Sequence, residues 1–556
     1  MIFVEGPILP LIVLSWPLLL AALSLVPRFR GKALRLLPLA PLPALLLVLT
    51  SETEVETHIP YLLLGMVLEI GSIARLLLDM TAVLWLMAGI YAQEYMANTP
   101  NQPRFVAFWC LTIAGNLGVF LAADVATFYF AFAMVSLAAY FLIIHNENNK
   151  ALRAGRVYIV LAILGEVSLL VAFFIGVDAA GSRLIADIRP ALAEAPLGGL
   201  AVGLLILGFG LKAGVFPLHV WLPLAHPAAP VPASAVLSGA IVKAGVIGLI
   251  LFLPVGMAEW GMALMLMGFF AAYAGILLGL SQSNPKTVLA YSTISQMGLV
   301  FAIIGTAITG SIGQEATAYY ALHHGLAKGA LFLSIGLILV NDRRFYWFVL
   351  GLTALVAASI AGLPLTGGAL AKAAVKPELY GYAYWALYLS GVGSALLMVR
   401  FILLIAHNTD QQKPMPSFLM VVPWLVLVLA ALTLPWLLWP TWTGENYSGL
   451  LEREAIWQAL WPVALGIAIA IIAVFIRARP PRIPEGDIVV WLERFASWIV
   501  ARIQAIHMPA RSLSGLNLLL RLRDLPSKIE FVLTQWQSAG LMIMVLTLLT
   551  GWMAWF

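Results

Sequence analysis

The amino-acid sequence predicts an all-α polytopic membrane protein with about 16 transmembrane helices. Of its 556 residues, 62% are hydrophobic and only 10% are charged, whereas ordinary globular domains carry about 25% charged residues. Uncharged apolar runs of about 18 residues or more recur along the chain, each long enough to cross a hydrocarbon core about 30 Å thick. A soluble fold could not bury this much apolar surface.

Hydropathy places the predicted spans at regular intervals. Ten lie near residues 7–27, 35–50, 76–96, 105–123, 125–144, 157–177, 199–218, 233–254, 260–281 and 286–308. Six more lie near 316–340, 347–376, 381–406, 417–439, 456–476 and 539–555. The first lacks a basic region and a small-residue cleavage site, so we interpret it as a retained helix. The single cysteine, Cys110, excludes internal disulfides and iron–sulfur ligation.

Basic residues cluster after odd-numbered spans. They are Arg28, Arg30, Lys32 and Arg35 after the first, Lys150, Arg153 and Arg156 after the fifth, and Arg343 and Arg344 after the eleventh. Residues 51–75, after the second span, carry glutamates instead. The positive-inside rule places both termini outside, and we expect the protein to lie in the inner (cytoplasmic) membrane. The net charge of +5 is interpreted as loop residues facing an anionic leaflet, not as a nucleic-acid site.

The composition changes in residues 477–538. There "IVVWLERFASWIVARI" repeats apolar residues at helical spacing, with charged residues on the other faces. We predict an amphipathic helix near 487–506 on the cytoplasmic surface, before a last span in residues 539–556. Two interpretations stay open: the helix straps a neighbouring subunit, or it anchors the chain at the bilayer interface.

Charges within the spans predict an internal repeat. Glu166, Lys212 and Lys243 in spans six to eight are matched 157 to 162 residues later by the set Lys328, Lys372 and Arg400. Because five helices per copy is an odd number, the second copy would be inverted. The predicted organisation is helices one to three in 1–104, repeats in 105–255 and 256–410, and two further helices in 411–476.

Two lysines adjoin predicted helix breaks. Gly214 and Pro217 follow Lys212, and Pro364, Gly367 and Gly368 precede Lys372. A lysine at the bilayer centre costs about 2.5 to 3.5 kcal/mol, and irregular backbone is tolerated there where it lines a cavity. We therefore predict functional lysines at two broken helices, spans seven and twelve. For Lys243 the alternative is that its ammonium reaches the membrane interface.

Four stretches carry a family resemblance. "LKAGVFPLHVWLPLAHPAAPVPASAVLSGAIVKAG", "LAYSTISQMGLVF", "HHGLAKGALFLSIGLIL" and "AGLPLTGGALAKAA" resemble the antiporter-like, proton-translocating subunits of complex I, Mrp-type antiporters and group 4 hydrogenases. The resemblance covers about residues 60–410. It implies fourteen core helices, a buried polar axis and partner membrane subunits. It implies that this axis contains Lys212, Lys243, Lys372, and Lys328 with either His323 or His324.

The sequence departs from that family at two positions. Ala133 stands where the family usually has a fifth-span glutamate, and Gln296 replaces a histidine of some relatives. We hypothesise that Glu166, one helix later, supplies the missing carboxylate partner of Lys212; the alternative is a structural glutamate bonded to a neighbouring helix.

The resemblance implies a subunit that moves protons through buried side chains and water. Because the sequence shows no Gly-rich nucleotide motif, no cysteine cluster and no haem-ligand motif, we expect no cofactor or redox site of its own. Whether it belongs to a redox enzyme stays open. Three functions remain: a pump driven by a redox partner, a proton or sodium antiporter subunit or gradient-using partner of an uptake system such as one for inorganic carbon, and a scaffold that has lost pumping.

Overall fold

The structure is a computed structural model. It describes residues 5–50, 55–309, 314–338, 342–407 and 415–478, and positions 481, 483–491, 495, 497 and 498. The chain divides into two compact units. The larger comprises residues 6–57 and 67–486, and the smaller comprises residues 1–5, 58–66 and 487–556. In the smaller unit, residues 487–491 are helical, and the Phe495 and Trp498 rings stack.

Helices account for nearly all regular structure in the described residues. The first half contains α1 (Leu9–Leu25), a 3-10 segment (Pro27–Leu39), α2 (Leu42–Thr50), strands β1 (Glu56–Ile59) and β2 (Met66–Glu69), α3 (Ser72–Tyr95), α4 (Gln102–Leu121), α5 (Val125–Ile143), α6 (Asn149–Ala180), α7 (Ile185–Glu194), α8 (Gly198–Ala213), α9 (Trp221–Ala228), α10 (Val231–Val236), a π-helical turn (Leu237–Ile241) and α11 (Lys243–Phe252).

The second half begins with two long neighbouring helices. It contains α12 (Ala258–Leu280), α13 (Pro285–Ile308), α14 (Gln314–Leu337), α15 (Arg343–Ala361), α16 (Gly367–Val375), a 3-10 turn (Lys376–Glu378), α17 (Tyr382–His407), α18 (Phe418–Thr443), α19 (Ser448–Leu451) and α20 (Arg453–Phe475).

The predicted class, an all-α polytopic membrane protein, is confirmed. Twelve described helices are long and apolar enough to cross a membrane, and α1 and α8 are shorter apolar helices. Each of the first fifteen predicted spans overlaps helical segments of the described residues. The span near 539–555 and most of the predicted surface helix lie outside the described residues. The count of sixteen, the inverted repeat and the domain boundaries stay predictions.

The predicted break in span 347–376 is present, and one helix was not predicted. The span is two helices, because α15 ends at Ala361 and its C-cap, Gly362, has a left-handed φ of +98° and precedes Leu363 and Pro364. The ten-residue helix α7 was not predicted, since it is too short for a hydropathy window. It is amphipathic and buries Ile185, Ile188 and Leu192.

The first helix break also ends in a left-handed glycine. Gly214 has φ +71°, and its backbone N–H donates to the Gly210 carbonyl at the end of α8. A Cβ at Gly214 would lie 2.0 Å from Leu222 Cδ1, so the turn also requires glycine for space. The chain then runs through residues 215–220 to α9, and Lys212 lies in the last turn before the break.

Glycines bring α12 and α13 into close contact. Cβ atoms at Gly268 and Gly298 would lie 2.5 Å and 2.6 Å from the carbonyl oxygen of the other glycine. Gly261 and Gly305 oppose each other in the same way one heptad along. Small residues let membrane helices approach this closely. The seam fixes α13, which carries Leu289 and Gln296 of the site below.

Candidate functional site

Lys212 is buried inside the membrane-spanning bundle. Its side chain is 5% exposed, and its Nζ donates a 2.6 Å hydrogen bond to Ser136 Oγ on α5. The ammonium also lies 5.0 Å from the centre of the Phe132 ring, which is a cation–π distance. The sequence-predicted lysine therefore lies beside a helix break with polar and aromatic partners from a different helix.

Glu166 of α6 faces the same serine. It is 8% exposed, and it interacts with the Ser136 hydroxyl and electrostatically with Lys212. Its Oε1 has no hydrogen-bond partner among the described residues. Glu166 and Lys212 thus both adjoin the Ser136 hydroxyl, and the role of Glu166 as the carboxylate partner of Lys212 stays a prediction.

Lys243 contacts a histidine of another helix. The residue is 0% exposed, and its Nζ lies 2.7 Å from His324 Nδ1 and 3.1 Å from the Ser238 carbonyl oxygen. The π-helical turn Leu237–Ile241 ends just before it, and such turns are frequent at functional sites. The alternative that Lys243 reaches the membrane interface is wrong, because its ammonium is enclosed by protein.

Lys328 lies one helical turn from His324, the histidine that contacts Lys243. It lies four residues after His324 on α14, so both side chains share one face, and it donates a 3.0 Å hydrogen bond to the Leu289 carbonyl. His226 is fully buried, stacks on the Phe332 ring at 4.6 Å and interacts electrostatically with Lys328 and Lys286. Lys286 was not singled out in the sequence, because it lies at the start of a predicted span, where flanking basic residues are expected.

His323 and Lys372 form the end of the site at the second helix break. His323 Nε2 lies 2.9 Å from Ser359 Oγ, which also accepts the backbone N–H of Gly368 at 3.1 Å. Lys372 donates a 2.7 Å hydrogen bond to the Ala361 carbonyl at the end of α15. It is half-buried and lines a cavity of about 90 Å³ together with Lys376, Tyr388 and Gln458.

The predicted residues therefore form two groups. The first group is Glu166 and Lys212, which lie around Ser136. The members of the second group are linked to one another by hydrogen bonds or electrostatic interactions; they are Lys243, His324, Lys328, His323 and Lys372. Each group combines nitrogen bases with hydroxyl or carbonyl oxygens, which are the parts of a proton-transfer path.

Gln296 ties three helices together beside this site. Tyr320 on α14 donates a 2.6 Å hydrogen bond to its Oε1, and its Nε2 donates to Ser394 Oγ on α17 at 3.2 Å. We expect Gln296→Ala to lower the thermal unfolding temperature of the solubilised protein, because Tyr320 and Ser394 would lose their partner, at about 1–3 kcal/mol. Gln296→Glu, which keeps an acceptor oxygen for Tyr320 and, when protonated, a donor for Ser394, is the comparison and should unfold nearer the wild-type temperature; an unchanged temperature in the alanine variant would contradict this structural role.

One histidine outside the predicted spans, His145, is not suited to proton transfer near neutral pH. His145 lies between α5 and α6, where burial and the neighbouring Arg104 guanidinium lower its pKa to about 4. Arg104 forms an ion pair with Glu147. His145 is therefore neutral at neutral pH. Within the described part of the chain, no three histidine, cysteine or acidic side chains come together as a metal site; that the chain needs no cofactor stays an expectation.

The fold and these buried groups define a polytopic antiporter-like membrane protein. Residues 122–398 match the family described as NADH:quinone oxidoreductase/Mrp antiporter, transmembrane. The chain belongs to this family through that region, which contains all seven site residues predicted from the sequence.

Individual relatives cover parts of the chain. Hydrogenase-4 component B of Escherichia coli (strain K12) is 30% identical over 297 residues, which are 50% of this chain and 44% of that protein. A Na(+)/H(+) antiporter component of Bacillus subtilis (strain 168) is 26% identical over 377 residues, 64% of this chain and 76% of that protein. The chain thus spans less than half the length of the hydrogenase-4 relative.

Two solved structures share the fold. The Mrp complex from Dietzia sp. DQ12-45-1b matches with a TM-score of 0.73 and 22% identity over 95% of this chain and 63% of that chain. The membrane-bound sulfane sulfur reductase, an archaeal respiratory membrane complex, matches with a TM-score of 0.68 and 20% identity over 97% of this chain and 99% of that chain.

Proposed function

We propose that this chain translocates protons as a membrane subunit of a larger complex. The observation that carries the proposal is the contact between Lys243 and His324, in which two nitrogen bases meet at 2.7 Å inside membrane-spanning helices. A buried ammonium is costly, so a lysine held there against a histidine is suited to giving up and regaining its proton.

The ion is proposed to be the proton because of the chemistry of the site. Lysine and histidine nitrogens bind protons, whereas hard metal cations prefer carboxylate, carbonyl and water oxygens. Sodium–proton exchange, the activity in the name of the Bacillus subtilis relative, is the alternative. A sodium requirement for proton movement would favour it.

The complex is proposed to lie in the inner membrane with both chain termini outside. The basic residues that follow odd-numbered spans support this orientation. Partner subunits or lipid would cover the lipid-side face of α6, where Val160, Ile163, Leu164, Val167 and Phe174 are exposed. A redox partner that drives pumping fits the hydrogenase relative, and an uptake system that consumes the gradient fits the same fold.

We expect Lys212→Ala to abolish proton movement while the protein still inserts. The substitution removes a proton carrier and relieves the cost of burying its charge, so insertion should not suffer. Proton movement would be followed with a pH-sensitive dye in membrane vesicles that contain the full complex. Lys150→Ala, at the exposed start of α6, is the matched control. Wild-type proton movement in the Lys212 variant would refute the proposed function.

A further inference from the structure

Ser136 lies between the ammonium of Lys212 and the carboxyl of Glu166. It is on α5, one helical turn after Ala133, and is buried. Its hydroxyl accepts a hydrogen bond from Lys212, and the Glu166 carboxyl is close enough to interact with it. Its Oγ also lies 3.1 Å from the Phe132 carbonyl oxygen of its own helix.

The serine hydroxyl has one proton and more than one place to donate it. A hydroxyl offers one donor and two acceptor lone pairs. Because Lys212 occupies a lone pair as donor, the hydroxyl proton is left with two acceptors, the Phe132 carbonyl and the Glu166 carboxylate. A rotation about χ1 or of the O–H bond exchanges these acceptors.

The surroundings hold this geometry in place. Tyr158 on α6 donates a 3.0 Å hydrogen bond to the backbone carbonyl of Ser136, which fixes α5 against α6. The Phe132 ring lies against the Lys212 ammonium. A space of about 10 Å³ lined by Ser136, Tyr158, Gly165 and Lys212 is at the lower limit for one water, about 10–15 Å³.

We propose that Ser136 is a proton relay that connects Lys212 to Glu166 when its hydroxyl donates to the carboxylate and disconnects them when it donates to the Phe132 carbonyl. This inference rests on the proposed proton translocation. Ala133 provides no carboxylate in the fifth span. In this proposal the hydroxyl of Ser136 on α5 and the carboxylate of Glu166 on α6 together replace it.

The step balances without any other reactant. A Lys212 N–H bond breaks and its proton binds Ser136 Oγ, while the Ser136 O–H proton moves to the Glu166 carboxylate. The products are a neutral amine, an unchanged serine and a neutral carboxylic acid. Two opposite buried charges are thereby neutralised, which removes the cost of keeping both ionised in a low-dielectric interior.

The test compares Ser136→Thr with Ser136→Val in the full complex. Threonine and valine have nearly the same shape and differ by a hydroxyl against a methyl group, so both fill the small space beside Ser136. We expect the threonine variant to move protons at a rate near that of the wild type and the valine variant to be slower by about tenfold or more. Equal rates in the two variants, whether normal or slow, would overturn the relay.

Ser168 provides the matched control. It is a buried serine on α6 whose Oγ donates to the Leu164 carbonyl four residues earlier at 2.8 Å, as Ser136 can to Phe132. Ser168→Thr and Ser168→Val should not differ from each other. If Ser136→Val does not insert, Ser136→Ala removes the hydroxyl without adding bulk, and a wild-type rate in that variant also overturns the relay.

A second readout locates the proton itself. Infrared difference spectra of the purified complex report the protonated carboxyl of Glu166, identified by its disappearance in Glu166→Gln. We expect this signal to persist in Ser136→Thr and to be lost or delayed after a pH jump in Ser136→Val; an identical signal in both would overturn the inference. The two hypotheses fail separately: wild-type proton movement in Lys212→Ala ends the proposed function, whereas an inactive Lys212→Ala with equal Ser136 variants ends only the relay.

Discussion

Replacing Lys243 by methionine is expected to abolish proton movement, with a loss of about 10² or more, the scale of a positioned acid–base group. The ammonium is fully enclosed and contacts His324 Nδ1, so no bulk water can exchange its proton directly. Methionine keeps a flexible side chain of similar length without a titratable nitrogen. The measurement is dye-reported proton movement in vesicles that contain equal amounts of inserted protein.

The stability of the same variant separates a carrier from a structural lysine. Burying a lone ammonium is costly, and replacing it with an apolar group is often neutral or stabilising. We therefore expect the Lys243→Met protein to unfold at a temperature no lower than that of the wild type. His324→Gln, which keeps a hydrogen-bonding group beside Lys243 but cannot carry a proton near neutral pH, should be equally inactive. Normal proton movement in Lys243→Met would contradict the proposal that Lys243 and His324 carry protons.

The helix breaks were predictable because their residue types have local consequences. Gly214 and Gly362 adopt left-handed φ values that other residues avoid. Prolines close by remove backbone donors that a continuing helix would need. These effects act over a few residues, so the sequence predicts that Lys212 and Lys372 adjoin interruptions without knowledge of any other helix.

The bridging hydroxyls were not predictable in this way. Ser136 and Lys212 are separated by 76 residues, and His323 and Ser359 by 36. Serines are common in membrane helices, where their hydroxyls often bond their own backbone. Which serine meets a lysine or histidine depends on how α5, α8, α14 and α15 pack, and the periodicity of a single helix does not contain that information.

The two adjacent histidines show the same limit. The sequence left open whether His323 or His324 belongs to the axis. Neighbouring residues on a helix point about 100° apart, and the structure directs His324 to Lys243 and His323 to Ser359. Both belong to the candidate site, with different partners, because α14 is buried against helices on both of these sides.

Gly368→Ala is expected to disrupt the second helix break. A Cβ there would lie 1.7 Å from the backbone carbonyl oxygen of Ser359 and 3.0 Å from His323 Cε1. The obstructing oxygen belongs to the backbone and cannot rotate away, so α16 must shift relative to α15. We expect a loss of about 3 kcal/mol in stability, the upper part of the usual range for overpacking, measured as a lower thermal unfolding temperature.

The same shift should reach the proton path, because Gly368 N–H and His323 Nε2 share the hydroxyl of Ser359. Proton movement should therefore fall in Gly368→Ala even at temperatures where the protein remains folded. Gly351→Ala on α15 is the matched control, since a Cβ there meets no heavy atom within 4 Å and alanine is favoured over glycine inside a helix by about 1 kcal/mol. If both glycine variants unfold at the wild-type temperature and move protons normally, the close approach of α16 to Ser359 does not exist in the working protein, and the positioning of His323 by Ser359 fails with it.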